Sequence, residues 1–180
     1  MWNDNGCKKE FGYICERPRG ALMLKSTTAP PASTSAPMAC PSGWEFYGSS
    51  CYKFSNTKKN WRGAKTDCRL SGGYLLKIDD VFEQRFITFK LIQGYQGQDR
   101  YRFWSGLTDA AVEGTYRWES DNSLVNYTHW AVAEPNDIIG WEDCVWLYGA
   151  GDPGFWNDDS CFKEYYYICE KPGDKGFCMC

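Results

Sequence analysis

The stretch that decides the fold contains three short polar motifs, Glu134-Pro135-Asn136, Trp141-Glu142-Asp143-Cys144 and Trp156-Asn157-Asp158. These motifs bring carboxylate and amide oxygens close together along the chain, each beside Pro, Trp or Cys. Calcium accepts roughly six to eight such oxygen ligands in a forgiving geometry. A transition metal would prefer a set of imidazole or thiolate groups, which the motifs do not provide. The stretch therefore predicts a calcium site.

Size and charge narrow the classes of protein to which the chain can belong. With 180 residues and 43% hydrophobic content, it can build one ordinary core plus additional segments. The net charge of −3 and the scattered Lys and Arg residues provide no basic surface for a nucleic-acid backbone. The composition therefore excludes DNA and RNA as expected partners.

Cysteine usage indicates an oxidising compartment. The chain has ten Cys residues but no Cys-x-x-Cys pair, and Cys178-Met179-Cys180 has the wrong spacing for a zinc site. No apolar run approaches the roughly 18 residues that span a bilayer, and the first residues do not resemble a signal peptide. We expect an extracellular or cell-surface protein whose signal peptide and anchor lie outside this sequence.

An internal repeat predicts the domain organisation. Trp2-Asn3-Asp4 and Tyr13-Ile14-Cys15-Glu16 match Trp156-Asn157-Asp158 and Tyr167-Ile168-Cys169-Glu170 at a constant offset without a gap. Residues 1–18 thus resemble the end of a preceding domain of the same kind, which places the chain in a tandem array. We assign residues 19–37 to a linker rich in Ser, Thr and Pro, 38–172 to the complete domain and 173–180 to a tail.

The complete domain alternates turn signals with aromatic and helical patterns. Cys40 to Phe54 predicts a hairpin closed by its two cysteines, and Thr57 to Leu70 predicts a helix that ends at Gly72-Gly73. A second helix, which ends at Gly94, is expected after a capping box of Asp80 and Glu83. We interpret both helices as amphipathic covers, the second one contributing the apolar contacts Phe82, Phe86, Phe89 and Leu91. Short aromatic strands follow, so the predicted class is α+β.

Together these motifs resemble the C-type lectin domain. Besides the three polar motifs, Phe103-Trp104-Ser105-Gly106-Leu107 is similar to the family's central Trp-Ile-Gly-Leu strand, with Ser105 in place of Ile. The resemblance covers residues 40–172 and the fragment 1–18. It implies a C-type lectin fold with two helices, antiparallel sheets and a long calcium-binding loop region. It also selects three disulfides from the 15 pairings that six cysteines allow: Cys40–Cys51, Cys68–Cys169 and Cys144–Cys161.

The resemblance also assigns a principal calcium and sugar site. In similar lectins the five matching residues ligate one calcium ion, and two neighbouring sugar hydroxyls complete its coordination; they are Glu134, Asn136, Glu142, Asn157 and Asp158. The Glu-Pro-Asn order accompanies mannose, fucose and N-acetylglucosamine in this family, and Pro135 is expected to be cis. A second, auxiliary calcium site would use Asp109, Glu113, Asp137, Asp143 and the shared Glu142.

Several residues also have ordinary structural interpretations. Asn and Asp favour turns and helix caps, so each ligand taken singly could be structural; the set at matching spacing favours the site. Most Trp side chains are expected in the core, with Trp141 as the exception, and Ile138 and Ile139 are candidates for contact with ligand. We interpret His129 as structural. Asn126-Tyr127-Thr128 is a glycosylation sequon.

The leading hypothesis is calcium-dependent binding of mannose-type glycans by one module of a multi-domain receptor, resembling the macrophage mannose receptor. The partners would be glycans bearing mannose, fucose or N-acetylglucosamine, together with neighbouring lectin domains. The alternative is a protein-binding module of the same fold without sugar activity. A glycosidase is the third class, but the carboxylates that it would need are committed to the ion, so no enzyme activity is expected.

Overall fold

The computed structural model describes residues 38–95 and 101–175. They belong to one of the two units into which the chain divides, Ser35–Cys180. The predicted fragment 1–18, the predicted linker 19–37 and most of the predicted tail lie outside the described residues, as do Cys7, Cys15, Cys178 and Cys180. Within the described residues, no helix is both long and apolar enough to cross a membrane.

The described residues form two helices, α1 (Trp61–Leu70) and α2 (Val81–Tyr95), and a short 3₁₀ helix at Ile138–Gly140. Ten strands accompany them: β1 (Met38–Ala39), β2 (Glu45–Tyr47), β3 (Ser50–Phe54), β4 (Tyr74–Leu75), β5 (Arg102–Thr108), β6 (Arg117–Trp118), β7 (Cys144–Tyr148), β8 (Trp156–Asp159), β9 (Tyr166–Pro172) and β10 (Asp174–Lys175). The α+β class is confirmed.

The main sheet has the strand order β2-β3-β9-β5-β7-β8, with β4 paired to β9 and β6 paired to β5. It is mixed, because β5 and β9 run parallel while the other pairs are antiparallel. A separate two-stranded sheet joins β1 to β10. Asp174 and Lys175, which we assigned to the tail, thus pair with the first strand of the domain.

Helix α1 begins later than the periodicity predicted. Its N-cap is Asn60, whose Oδ1 accepts a hydrogen bond from the Gly63 amide at 2.8 Å. Residues 57–60, which the periodicity placed in the helix, are not helical, because Lys59 exchanges two backbone hydrogen bonds with Tyr165. The predicted end is confirmed: Gly72, with a φ of 77°, follows the last turn.

Helix α2 has the predicted Asp80 cap but is not an amphipathic cover. Asp80 Oδ1 accepts hydrogen bonds from the amides of Phe82 and Glu83, while Glu83 Oε2 accepts from the Asp79 amide instead of that of Asp80. Of the apolar contacts we expected, Phe86 and Leu91 pack in the core, but Phe82 and Phe89 are exposed. A helix with apolar residues on several faces buries only the face that the sheet covers.

Three disulfides join the elements as the family resemblance implied: Cys40–Cys51, Cys68–Cys169 and Cys144–Cys161. The second connects α1 to β9, and the third holds the start of β7 to the residues that follow β8. Closing the long loop between Cys68 and Cys169 stabilises the fold by about 4 to 5 kcal/mol on the chain-entropy model. The third disulfide therefore closes the open end of the β7–β8 hairpin, where the polar motifs lie.

Ser105, which replaces an apolar residue of the family pattern, has a structural role in β5. Its side chain is buried, and its hydroxyl donates to the Val145 carbonyl at 2.9 Å and accepts from the Leu107 amide at 3.3 Å. The register between β5 and β7 shifts between Trp104 and Thr108. The hydroxyl thus supplies hydrogen bonds where the irregular ladder does not.

Candidate functional site

The three polar motifs meet at the end of the β7–β8 hairpin. The antiparallel register pairs Val145 with Asp158 and Trp146 with Asn157. Residues 131–142 form a loop beside this hairpin, which we call the ligand loop; it carries the Glu-Pro-Asn motif. The Glu134–Pro135 peptide bond is cis, as predicted.

Asp158 is the hub to which the ligand loop is attached. Its side chain is fully buried, and its two carboxylate oxygens accept hydrogen bonds from the amides of Asn136 (3.2 Å) and Asp137 (3.0 Å). The hydroxyl of Tyr116 donates to the same group at 3.3 Å. Because each carboxylate oxygen can accept more than one hydrogen bond or ligand, these contacts fix the loop without using every lone pair of Asp158.

Glu134 lies in this arrangement with one oxygen unpaired. Its Oε2 is buried and has no hydrogen-bond partner. Burial, followed by the neighbouring carboxylates of Asp158 and Glu142, raises the pKa of Glu134 to about 7. A buried acceptor without a donor is costly, so this oxygen is one that a cation would satisfy.

Glu142 closes the other side of the ligand loop. Its Oε2 accepts a hydrogen bond from the Ile138 amide at 2.9 Å, and its own amide donates to Asp137 Oδ1 at 3.2 Å. Burial, and then the charges of nearby acids including Asp158, raise the pKa of Glu142. The side chain is therefore held next to the carboxylates that repel it.

Asn157 has both ends of its amide engaged. Its Oδ1 accepts a hydrogen bond from the Tyr148 hydroxyl at 3.1 Å, and its Nδ2 donates to the Asp158 carbonyl. Asn136, in contrast, is exposed. All five residues of the predicted principal site therefore lie on the hairpin or on the loop that is tied to it.

The predicted auxiliary site is assembled around Asp109. This side chain is buried; its Oδ2 accepts from the Gly114 amide at 3.0 Å, while its Oδ1 is buried without a partner. The Asp143 carbonyl accepts hydrogen bonds from the Asp109 amide and from the Thr108 hydroxyl, which places the two acids side by side. Burial raises the pKa of Asp109, and desolvation together with the charges of Asp109 and Asp137 raises that of Glu113.

The donor set fits a hard cation, although the side chains do not converge on one point. In the two described ranges, no group of three or more His, Cys, Asp and Glu side chains is arranged to hold a metal ion. Several of the acids instead accept hydrogen bonds from amides of their own loops. Three buried side-chain polar atoms of the described residues have no partner, and two of them are Glu134 Oε2 and Asp109 Oδ1, one in each predicted site.

The sequence did not identify two residues that contact the predicted ligands, Tyr116 and Tyr148. Each donates its hydroxyl to a ligand side chain, Tyr116 to Asp158 and Tyr148 to Asn157. Tyr148 belongs to a predicted strand, but its partner on β8 depends on the strand register, which the sequence does not contain. Trp141 lies outside the core, as expected, and Ile138 is also exposed. His129 stacks on Phe155 with ring centroids 4.2 Å apart, which agrees with a structural role. The side chain of Ile139 lies outside the described residues.

Comparison with known proteins identifies the family. Residues 57–171 match the profile described as the lectin C-type domain. The chain is 32% identical over 173 residues to C-type mannose receptor 2 of Mus musculus, covering 96% of this chain but only 11% of the receptor. It is 36% identical over 149 residues to a perlucin-like protein of Mytilus galloprovincialis, covering 82% of this chain and 93% of that protein.

Solved structures agree with the family match. The mouse scavenger receptor C-type lectin carbohydrate-recognition domain superposes with a TM-score of 0.66 at 32% identity, covering 75% of this chain and 98% of that domain. The cow CD23 domain, solved in the presence of a GlcNAc2Man3 oligosaccharide, gives the same score and identity, covering 76% of this chain and 98% of that one. A calcium-independent type II antifreeze protein gives 0.65 at 28% identity, covering 77% and 98%.

Proposed function

Because the chain belongs to the C-type lectin domain family, we propose that residues 38–172 bind mannose-type glycans in a calcium-dependent manner. The principal ligands would be Glu134, Asn136, Glu142, Asn157 and Asp158. The observation that carries this proposal is the buried, unpartnered Glu134 Oε2 beside the buried carboxylate of Asp158. A buried carboxylate oxygen that has no hydrogen-bond donor, beside a second buried carboxylate, favours a divalent cation at this position.

The ligand side chains would serve the sugar as well as the ion. When bound, calcium supplies positive charge and coordination positions for two neighbouring sugar hydroxyls. Glu134 and Glu142 then accept hydrogen bonds from those hydroxyls, and the amides of Asn136 and Asn157 donate to them. This pairing selects glycans whose adjacent hydroxyls are equatorial, as in mannose, fucose and N-acetylglucosamine.

An auxiliary calcium ion at Asp109, Glu113, Asp137, Glu142 and Asp143 would order the ligand loop without touching sugar. The unpartnered Asp109 Oδ1 and the raised pKa values of Asp109 and Glu113 support it. Neutralising these acids with a cation removes the repulsion between them. Loss of this ion would weaken sugar binding through disorder of the loop.

The setting would be extracellular, as one module of a receptor or secreted array. The three disulfides support an oxidising compartment, and the chain spans 11% of the length of the mannose receptor that it matches.

The exposed Asn126 would accept an N-linked glycan. Residues 1–18 would be the end of a neighbouring lectin domain, so avidity would come from several sites in one array. The module would bind its ligands without catalysing a reaction.

The test is retention on mannose-agarose in calcium and elution by EDTA, with Asn136→Asp as the key variant. This change replaces an amide donor with a carboxylate, so we expect loss of mannose retention. Asn56→Asp is the matched control, because it makes the same chemical change at an exposed position outside the ligand loop. Unchanged retention of Asn136→Asp would contradict the site assignment.

A protein-binding module without sugar activity is the second candidate. The likeness to an antifreeze protein described as calcium-independent supports it, since the same fold occurs there. This candidate predicts no retention on any glycan of an array, with or without calcium. Retention that needs calcium excludes it for this chain.

A further inference from the structure

Helix α2 carries exposed apolar side chains on the face that points away from the core. Phe82 is 62% exposed, Phe89 is 54% exposed and Ile92 is 39% exposed, whereas Ile87 and Leu91 are fully buried. An aromatic side chain carries roughly 150 to 250 Å² of surface, so the two phenylalanines alone leave roughly 170 to 290 Å² in contact with solvent. Single exposed apolar side chains are normal on a protein, but a group of them on one face indicates a contact surface.

The helix itself brings these side chains together. Because successive residues of an α-helix are rotated by about 100°, Phe82, Arg85, Phe89 and Ile92 lie within an arc of about 80°. Arg85 is also exposed, and the carbon of its guanidinium group lies 5.9 Å from the centroid of the Phe82 ring. We call these four side chains the outer stripe. It is a continuous surface of three apolar groups and one cation.

The spacing of the outer stripe is the same in both directions along α2. Steps of three, four and three residues separate Phe82, Arg85, Phe89 and Ile92. A two-fold axis perpendicular to the helix would therefore place Phe82 opposite Ile92 of a second copy, and Arg85 opposite Phe89 of that copy. Each contact would occur twice, as in every isologous interface. The outer stripe is thus complementary to itself.

The antiparallel arrangement also pairs compatible chemical groups. Phe82 and Ile92 would bury apolar surface against each other, which is favourable. Arg85, the charged member, would lie on the aromatic ring of Phe89, and guanidinium groups are attracted to the faces of such rings. A parallel arrangement would instead place the two Arg85 side chains opposite each other. The charges therefore favour antiparallel pairing of two copies.

We propose that the outer stripe is an interface between two copies of this chain, which pair with their α2 helices antiparallel. The proposal is independent of the proposed function, because the outer stripe contains no residue of the ligand loop. The two phenylalanines expose much less than the roughly 800 Å² per partner that a standard stable interface buries, so the expected dimer is weak and forms at high protein concentration. If the ligand loop binds glycans, such a dimer carries two sites and gains avidity.

The experiment is sedimentation equilibrium of the full 180-residue chain over a wide range of concentrations, in EDTA and without glycan. We expect a monomer at low concentration and a dimer at high concentration. Phe82→Ser and Phe89→Ser should each weaken dimerisation by about ten-fold or more, because each change removes two symmetric contacts. Phe162→Ser is the matched control, since Phe162 is 84% exposed but lies outside α2. Because the chain has ten Cys residues, non-reducing gel electrophoresis checks that the dimer is not covalent.

Cross-linking tests the orientation of the two helices. In the antiparallel arrangement, position 82 of one copy faces position 92 of the other, whereas the two positions 82 are about 15 Å apart along the helix axis. A mixture of Phe82→Cys and Ile92→Cys should therefore form a disulfide-linked dimer more readily than either variant alone. The wild-type chain gives the background from its own cysteines.

Each outcome supports or overturns the proposal. A monomer at every concentration overturns it, as does a dimer that keeps wild-type affinity in both Phe82→Ser and Phe89→Ser or loses it in Phe162→Ser. Equal cross-linking in the mixture and in the single variants contradicts antiparallel pairing. A monomer that co-sediments with phosphatidylcholine vesicles through Phe89 assigns the outer stripe to a lipid surface and overturns the second copy as its partner. Retention on mannose-agarose tests the proposed function separately, so the two failures remain distinguishable.

Discussion

Glu134 in the ligand loop and Glu170 in β9 have similarly raised pKa values but different hydrogen-bond partners. Burial is the first cause in both cases and raises each pKa to about 7. Glu170 is buried, and the charge of the half-buried Glu83 also raises its pKa; we call these two glutamates the scaffold pair. The two carboxylate oxygens of Glu170 accept hydrogen bonds from the Tyr74 hydroxyl (3.3 Å) and the Lys77 amide (3.1 Å), whereas Glu134 Oε2 has no partner.

The other member of the scaffold pair is equally well satisfied. Glu83 accepts hydrogen bonds from the Tyr52 hydroxyl at 2.5 Å and the Asp79 amide at 2.9 Å, so each of its oxygens has a donor. A raised pKa alone therefore does not distinguish a structural carboxyl group from one that binds a ligand. The unpartnered oxygen makes the distinction. The chain supplies a hydrogen-bond donor to each carboxylate oxygen of the scaffold pair but none to Glu134 Oε2.

The largest expected effect comes from neutralising each glutamate in turn. Glu134→Gln removes the charge that calcium needs, so mannose binding should weaken by about 10- to 100-fold, since hydrogen bonds and contacts to a charged group contribute about 1.5 to 3 kcal/mol. Glu170→Gln keeps one of the two acceptor oxygens in the scaffold, outside the ligand loop, and should change mannose binding by less than about two-fold. Surface plasmon resonance on immobilised mannan measures both. A stronger loss in Glu170→Gln would reverse the comparison.

The pH dependence of stability without calcium should be similar for the two glutamates, and the expected effect is of intermediate size. Both folded pKa values lie above the ordinary value of 4.5, so the folded state holds more protons than the unfolded state between pH 4.5 and about 7. Their contribution to stability is complete below that interval and is lost as the pH rises through about 7. In EDTA, both variants should therefore show a smaller fall in Tm from pH 5 to pH 8 than the wild type.

Calcium should change this pattern through the proposed ligands, which include Glu134, and not through Glu170. Because the ion binds the ionised carboxylate, the gain in Tm on adding calcium should be larger at pH 8 than at pH 5. Calcium at a hundred times its dissociation constant should raise Tm by about 5 to 10 °C at pH 8. Differential scanning calorimetry should show this full gain in Glu170→Gln and a smaller gain in Glu134→Gln, in which only the proposed auxiliary site keeps all of its ligands. Equal gains in the two variants would place the bound ion elsewhere.

Local patterns predicted much of the fold because they depend on neighbours in sequence. The hairpin that Cys40 and Cys51 close, the Asp80 cap and the end of α1 at Gly72 all follow from short-range chemistry. The start of α1 did not, because Lys59 pairs with the distant Tyr165. The buried Gln84 is another long-range case: its side chain bonds the Gly154 carbonyl and the Trp156 indole, which only the folded chain brings to α2.

In the candidate site, too, the sequence predicted one part of the arrangement and not the other. Motif order predicted which residues would gather, and the cis Glu134–Pro135 bond agrees with that prediction. The orientation of each side chain depends on contacts that the motifs do not contain, such as the amides that Asp158 binds. The exposure of Val132 likewise depends on the turn that the Trp156 carbonyl holds, so the sequence could not distinguish it from a core residue.

The smallest expected effect concerns two tyrosine hydroxyls, one on each side of the comparison. Tyr148 donates to Asn157 Oδ1 and orients an amide that we expect to bind sugar, whereas Tyr74 donates to the scaffold pair. Tyr148→Phe removes one neutral hydrogen bond and keeps the ring on Trp146, so mannose binding should weaken by about three- to five-fold.

Tyr74→Phe also removes one tyrosine hydroxyl, which here donates to the carboxyl group of Glu170, and serves as the control in the scaffold. It should lower the free energy of unfolding by about 1 kcal/mol while leaving mannose binding unchanged, because Glu170 does not contact the ligand loop through any of its described hydrogen bonds. Titration calorimetry with calcium separates orientation from ion binding: in Tyr148→Phe the sugar affinity should fall more than the calcium affinity. Equal losses of both would mean that Tyr148 acts on the whole ligand loop and does not position Asn157 alone.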